Sequence, residues 1–160
     1  MNTDTDTNTI VCFTDGACTF NGSSKARASF AVVWPDHPDM DQAAVLCNGA
    51  STNNRAEFSA LILAFKQAEQ LDPSRAKTLV VYTDSMLMLN TVTFWMAGWK
   101  KRGWIKADKK AVANIDLVLS IDEWTMKRKV ELRHVKAHTG KTDWASVYND
   151  RVDKLAASVI

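Results

Sequence analysis

The sequence predicts a single α/β domain, a mixed α+β arrangement of a five-stranded sheet with helices on both faces. Three observations lead there. Five short runs of β-branched, aromatic and aliphatic residues are bounded by turn residues, longer segments of helical period follow and separate the later ones, and two of the apolar runs end abruptly in an aspartate. A chain of 160 residues fits one domain whose core buries most of its apolar surface.

The first run, Ile10 to Phe13, reads as a strand buried on both faces, with Asp15 emerging where the buried backbone runs out. Small polar residues from Thr19 to Ser24 form a turn. Ala26 to Trp34 is a second strand, ended by Pro35 and Pro38, and Gln42 to Asn48 is a third. The brief connections imply an antiparallel meander. Asn53 to Leu71 carries Leu61, Ile62, Phe65, Ala68 and Leu71 at nearly helical period, and Pro73 closes that helix. A right-handed crossover then lays Leu79 to Asp84 parallel to an earlier strand. Further helices are expected from Ser85 to about Trp95, from about Val112 to Met126, and from Trp144 to the end. The last carries Val152, Leu155, Ala156 and Val159 on its apolar face, and Val130 to Val135 is the fifth strand.

Composition is that of an ordinary globular protein, 46% hydrophobic and 24% charged, and no apolar run approaches the length of a membrane span. The opening MNTDTDTNT lacks a basic start and an apolar middle, so residues 1–9 read as a disordered tail ahead of a domain over 10–160. The expectation is a cytoplasmic protein, or a nuclear or organellar one in a eukaryotic cell, that is not secreted. Cys12, Cys18 and Cys47 are an odd number at unrelated spacings, read as reduced thiols, two in strands and one in a loop. Net charge is only +2, yet Trp95 to Lys110 holds six cations against one acid. Such a concentration suits a polyanion.

Asp15, Glu57 and Asp84 would meet at one end of the sheet. Taken singly, an aspartate after a strand is a turn residue or a helix cap, and Glu57 suits a helix N-terminal dipole. Brought together, three acids repel one another unless a metal neutralises them.

At this point the strings TDGAC, TNNRAE, YTDS, W-x-x-x-W-K-K-R-G-W and N-D-R-V-D-K-L-A resemble, in order and spacing, the type 1 ribonuclease H family, from about Ile10 to the C-terminus. The resemblance implies a ribonuclease H-like fold with sheet order 3-2-1-4-5. It also implies an endonuclease that cuts the RNA strand of RNA/DNA hybrids, leaving 5′-phosphate and 3′-hydroxyl ends. Two magnesium ions would serve it, with manganese able to substitute. Two divalent ions about 4 Å apart activate a water and neutralise phosphoryl charge, and a carboxylate cage without His or Cys suits magnesium.

Asp150 and Asp153 lie three residues apart on nearly one helical face. By the family pattern the fourth ligand, after Asp15, Glu57 and Asp84, is Asp153. His138 matches a histidine beside the metals that shuttles protons or assists product release, a role suited to imidazole. Ala137 departs from the usual glycine, Tyr148 does likewise, and the interval from His138 to Asp153 is longer than usual.

For substrate, the resemblance points to Cys18, Asn21, Asn53, Asn54 and the Met86 backbone as sensors of the 2′-hydroxyl that separates RNA from DNA. The DNA strand is expected on Trp95, Trp99 and Trp104, with Lys100, Lys101, Arg102 and Lys106 on phosphates. Thr52 and Asn114 match a DNA phosphate pocket in which Ala50 replaces a frequent arginine. A monomer is expected. Two alternatives stand beside this reading: a nuclease of the same fold acting on double-stranded RNA or RNA–DNA junctions, and a hybrid-binding module without catalysis.

Overall fold

The computed structural model describes residues 8–160; residues 1–7, and with them most of the expected tail, lie outside the described residues. The strands are β1 (Thr9–Thr19), β2 (Arg27–Val33), β3 (Gln42–Val45), β4 (Thr78–Thr83) and β5 (Val130–His134). The helices are α1 (Asn53–Leu71), α2 (Met86–Asn90), α3 (Met96–Lys101), α4 (Ile115–Lys127) and α5 (Trp144–Ala157). The sheet runs β3-β2-β1-β4-β5, as expected. The first three strands form an antiparallel meander, and β4 and β5 lie parallel to β1 and to each other.

Strand periodicity divides the core between two faces. Ile10, Cys12, Val32, Trp34, Leu79 and Val81 face one layer, which Leu61 and Phe65 of α1, Met88, Met96, Val118 and Ile121 complete. Phe13, Ala31 and Val33 face the other, under Val152 and Ala156 of α5. Each fully buried aliphatic or aromatic side chain here contributes about 1.5–3 kcal/mol. Phe65 stacks on Trp124 at 5.7 Å between ring centres, and the buried Trp34 indole donates to Gln67 Oε1 at 2.7 Å, so its one polar group is satisfied. Burial pushes the Cys12 thiol pKa up, and all three cysteines are free. Among the described residues no helix is long and apolar enough to cross a membrane.

Three local expectations need correction. β1 does not stop at Asp15 but continues to Thr19, because β2 still pairs with it: Asp15 lies opposite Ala31 and Thr19 opposite Arg27. The pairing of β1 with β4 ends at Phe13 and Tyr82, so one edge of β1 opens just where β4 gives way to Asp84. The helix from Met86 also does not end at Trp95. Thr91–Trp95 forms a π-type turn, after which α3 carries the helix on to Lys101. No proline interrupts this stretch, and the wider turn keeps backbone hydrogen bonding continuous. α4 starts at Ile115 rather than Val112, because Asn114 takes a left-handed φ of +55° that helical backbone cannot accommodate.

Candidate active site

Asp15 is held in mid-strand and is 3% exposed, and Glu57, 5% exposed, sits in the first turn and a half of α1. What lets α1 approach so closely is Gly16. A Cβ there would lie 2.7 Å from the Glu57 nitrogen and 2.8 Å from Ala56, so any side chain would push the helix off the strand. The Thr52 hydroxyl caps α1, accepting from the Arg55 N–H at 3.2 Å. Asp84 follows directly on β4. One carboxylate oxygen from each of Asp15, Glu57 and Asp84 lies within 4.8 Å of the others.

The electrostatics are those of an unbalanced cluster. Burial first, then the charges of Glu57 and Asp84, hold the Asp15 pKa far above the usual carboxylate range. Burial likewise raises Glu57, with Asp84 adding to it against hydrogen bonds from Asp15 and Gly16. Asp84 is raised by burial, opposed by a hydrogen bond from Asn149. Glu57 Oε2 is buried with no hydrogen-bond partner. An all-oxygen donor set with an unused buried oxygen fits a hard divalent cation such as magnesium.

α5 brings the fourth acid beside this group but not into it: Asp153 lies outside the 4.8 Å set, near enough to raise Asp15 and Asp84. Asn149, four residues earlier on the same face, is 3% exposed and donates to Asp84. Its Oδ1 has no partner. Asn149 lies within the N-D-R-V-D-K-L-A string, and that spacing was the available signal for it.

His138 is exposed, with φ of +53°, and its charge acts on Asp84. It lines a pocket of about 230 Å³ with Lys136, Lys141, Asn149, Asp150 and Asp153. The long interval before Asp153 is largely helix. Asp143 caps α5 by accepting from the Ser146 N–H at 3.2 Å, and Trp144 and Tyr148 pack on Phe13 at 5.3 and 5.6 Å.

The remaining expected residues fall into two groups. Asn21, Thr52, Asn53, Asn54 and Asn114 line one depression of about 440 Å³, where Asn21 Oδ1 accepts from the Asn53 N–H at 3.3 Å. Cys18 Sγ lies 3.6 Å from Asn21 Oδ1. Met86, half exposed, opens α2 two residues after Asp84. Trp95 and Trp99 share a face, 6.1 Å apart, and line a second pocket with Asn54, Lys106 and Asn114.

Others point elsewhere. Trp104 sits beyond α3 with φ of +68° and packs against the main core cluster. Lys100 pairs with Asp122 at 3.0 Å, and Arg102 Nε donates to the Ile105 carbonyl at 3.1 Å, so both are drawn into holding their own segment, whereas Lys101 stays exposed. Sequence reasoning missed Arg55, which binds Asp116 through two hydrogen bonds of 2.9 and 2.7 Å and holds its carboxyl down to about 2. This fork ties the start of α1 to the start of α4 and so sets Thr52 to Asn54 against Asn114.

Comparison with known proteins bears on the family and the fold. The RNase H family model matches residues 7–160. Ribonuclease H1 of Rattus norvegicus is 38% identical over 148 residues, covering 92% of this chain and 48% of that protein, so the chain spans about half the length of this mammalian relative. Ribonuclease H of Maricaulis maris is 35% identical over 148 residues, covering 92% of this chain and 91% of that protein. The crystal structure of LC11-RNase H1 in complex with RNA/DNA hybrid shares the fold, with a TM-score of 0.64 at 22% identity over 93% of this chain and 94% of that one.

Proposed function

The chain belongs to the RNase H family, and from that premise we propose that it is an endoribonuclease that hydrolyses the RNA strand of RNA/DNA hybrids, leaving 5′-phosphate and 3′-hydroxyl ends. The observation that carries this reading is the convergence of Asp15, Glu57 and Asp84 within 4.8 Å. Clustered negative charge facing a polyanion would only weaken a pure binding module. The hybrid bound to LC11-RNase H1 supports the choice of substrate.

Two magnesium ions bound at this cluster would supply the chemistry of water activation and phosphoryl charge neutralisation. The chain's own residues divide the remaining work. Asp15, Glu57 and Asp84 would hold the ions, with Asp153 of α5 as the fourth carboxylate beside them. Asn149 donates to Asp84 and fixes which way that carboxylate turns. His138, exposed on its turn beside Asp84, exchanges protons with solvent and with the departing product. Asn21, Asn53 and Asn54 can each donate to and accept from a 2′-hydroxyl, so the RNA strand is drawn to their depression. The tryptophan pair and Lys106 receive the DNA strand through ring faces and charge, without reading sequence.

The test is cleavage of an end-labelled RNA strand, alone, paired with RNA and paired with DNA, with magnesium and with chelator. Wild type should cut only the hybrid and only with metal, and Asp84→Asn should lose about three orders of magnitude in rate. Cutting of double-stranded RNA in preference, or hybrid binding without cleavage in either magnesium or manganese, would replace this reading with one of the two alternatives.

A further inference from the structure

The turn between β1 and β2 carries a side chain that the chemistry above leaves unused. Phe20 is 71% exposed and holds a φ of +54°. Left-handed backbone is unfavourable for a bulky L-residue, and an exposed phenyl ring gains nothing from burial. Among the described residues Phe20 belongs to none of the three apolar clusters, so packing compensates neither cost.

The turn is nonetheless firmly tied. Ser23 donates to the Phe20 carbonyl twice, from its N–H at 3.0 Å and its hydroxyl at 2.8 Å. The Lys25 N–H donates to the Ser23 hydroxyl at 3.2 Å, and the Thr19 hydroxyl to the Arg27 carbonyl at 3.4 Å. These bonds fix the backbone while the ring projects outward. The strained residue directly precedes Asn21, whose amide lines the depression with Asn53 and Asn54. Backbone strain held in place by its surroundings in this way gathers at functional sites.

We propose that Phe20 is an apolar wedge for the minor groove of the substrate, its ring packing on ribose faces of the RNA strand beside Asn21. Proteins that engage the minor groove commonly insert Phe, Leu or Met there. The wide, shallow minor groove of an A-like duplex accepts a phenyl ring as it stands, whereas the narrower B-form groove admits one only at the cost of widening and kinking the duplex. Phe20 thus adds discrimination between hybrid and DNA duplex that does not depend on a hydrogen bond to the 2′-hydroxyl. This role rests on the hybrid-nuclease reading.

The test compares Phe20→Gly, Phe20→Ser and Phe20→Leu in an Asp84→Asn background, which leaves the substrate intact. Fluorescence anisotropy with a labelled RNA/DNA hybrid and a labelled DNA duplex is paired with thermal unfolding. Phe20→Gly should unfold at or above the parent temperature, because glycine adopts positive φ without strain. Its hybrid affinity should fall about ten-fold, while DNA-duplex affinity stays within about two-fold. Serine should behave as glycine does, and leucine should keep most of the affinity. Hybrid affinity equal to the parent in both glycine and serine variants, or an affinity loss matched by a fall in unfolding temperature, overturns the wedge. A parent that binds no hybrid, with wild type that cuts none, overturns both the wedge and the nuclease reading.

Discussion

The molecule buries charge in two places, and they are built oppositely. At one end of the sheet Asp15, Glu57 and Asp84 meet, and what acts on Asp15 and Glu57 there is burial and the neighbouring carboxylates. Beyond the far end of α1, the fully buried Arg128 guanidinium binds Asp72 at 2.8 Å and Glu69 at 3.0 Å and donates to the Ala68 and Lys77 carbonyls. Burial pushes Asp72 up, but Arg128, the Lys77 N–H and Ser74 hold its carboxyl below the usual range, whereas burial and repulsion leave Asp15 far above it. A buried charge with its partner joins α1, β4 and β5. A buried charge without one stores electrostatic energy that an incoming cation releases.

Breaking the balanced cluster should have the larger effect on folding. Arg128→Ala leaves Asp72 buried beside an empty space, and urea unfolding should show a loss of about 3–5 kcal/mol. Removing a charge from the unbalanced cluster should act in the opposite direction. Metal-free Asp15→Asn should unfold at higher urea than wild type at pH 8, by on the order of 1–3 kcal/mol.

The pH dependence gives the sign. Because the folded Asp15 and Glu57 values are raised, metal-free wild type loses stability as pH climbs out of the ordinary carboxylate range through those raised values. The advantage of Asp15→Asn should therefore shrink on acidification. Magnesium should raise the Tm of wild type more than that of the variant. Asp72, with its folded value lowered, contributes stability above its unfolded value that is lost as pH falls through the folded one. The two clusters should tilt the stability curve in opposite directions.

The smallest effect isolates exposure from pairing. Arg75 also binds Glu69, at 2.9 Å through its Nε, but it is 43% exposed. Arg75→Ala should leave the urea midpoint close to that of wild type in the same assay. A loss equal to that of Arg128→Ala would mean that pairing, not burial, decides what these contacts contribute.

Much of this was readable along the chain, for reasons that differ by residue. Strands β1 and β4 declare themselves because buried parallel strands are continuous apolar runs, and β5 by the alternation of Val130 and Leu132 with Glu131 and Arg133. α1 declares itself by its period and its Pro73 stop. Asp15 and Asp84 stood out because carboxylates at the ends of apolar runs are chemically conspicuous, whereas Glu57 was read in the first turns of a helix and Asp153 was chosen over Asp150 by the family pattern. Less readable was Asp15 in mid-strand, since nothing in TDG says that β2 will go on pairing there. Lys100 and Arg102 looked like free phosphate ligands because their partners, Asp122 and the Ile105 carbonyl, are defined only once α3 and α4 have docked.

The sequence by itself determined the element types, the two-face pattern of the core and the supply of oxygen ligands. These follow from period and side-chain chemistry, which act over a few residues at a time. Only the tertiary structure decided which charges are satisfied. Arg55 meets Asp116 across 61 positions, Arg128 meets Asp72 across 56, and Asn149 reaches Asp84 from the last helix. Such pairings depend on strand register and helix docking, and the free energy that sets them comes from the core as a whole rather than from the residues that meet.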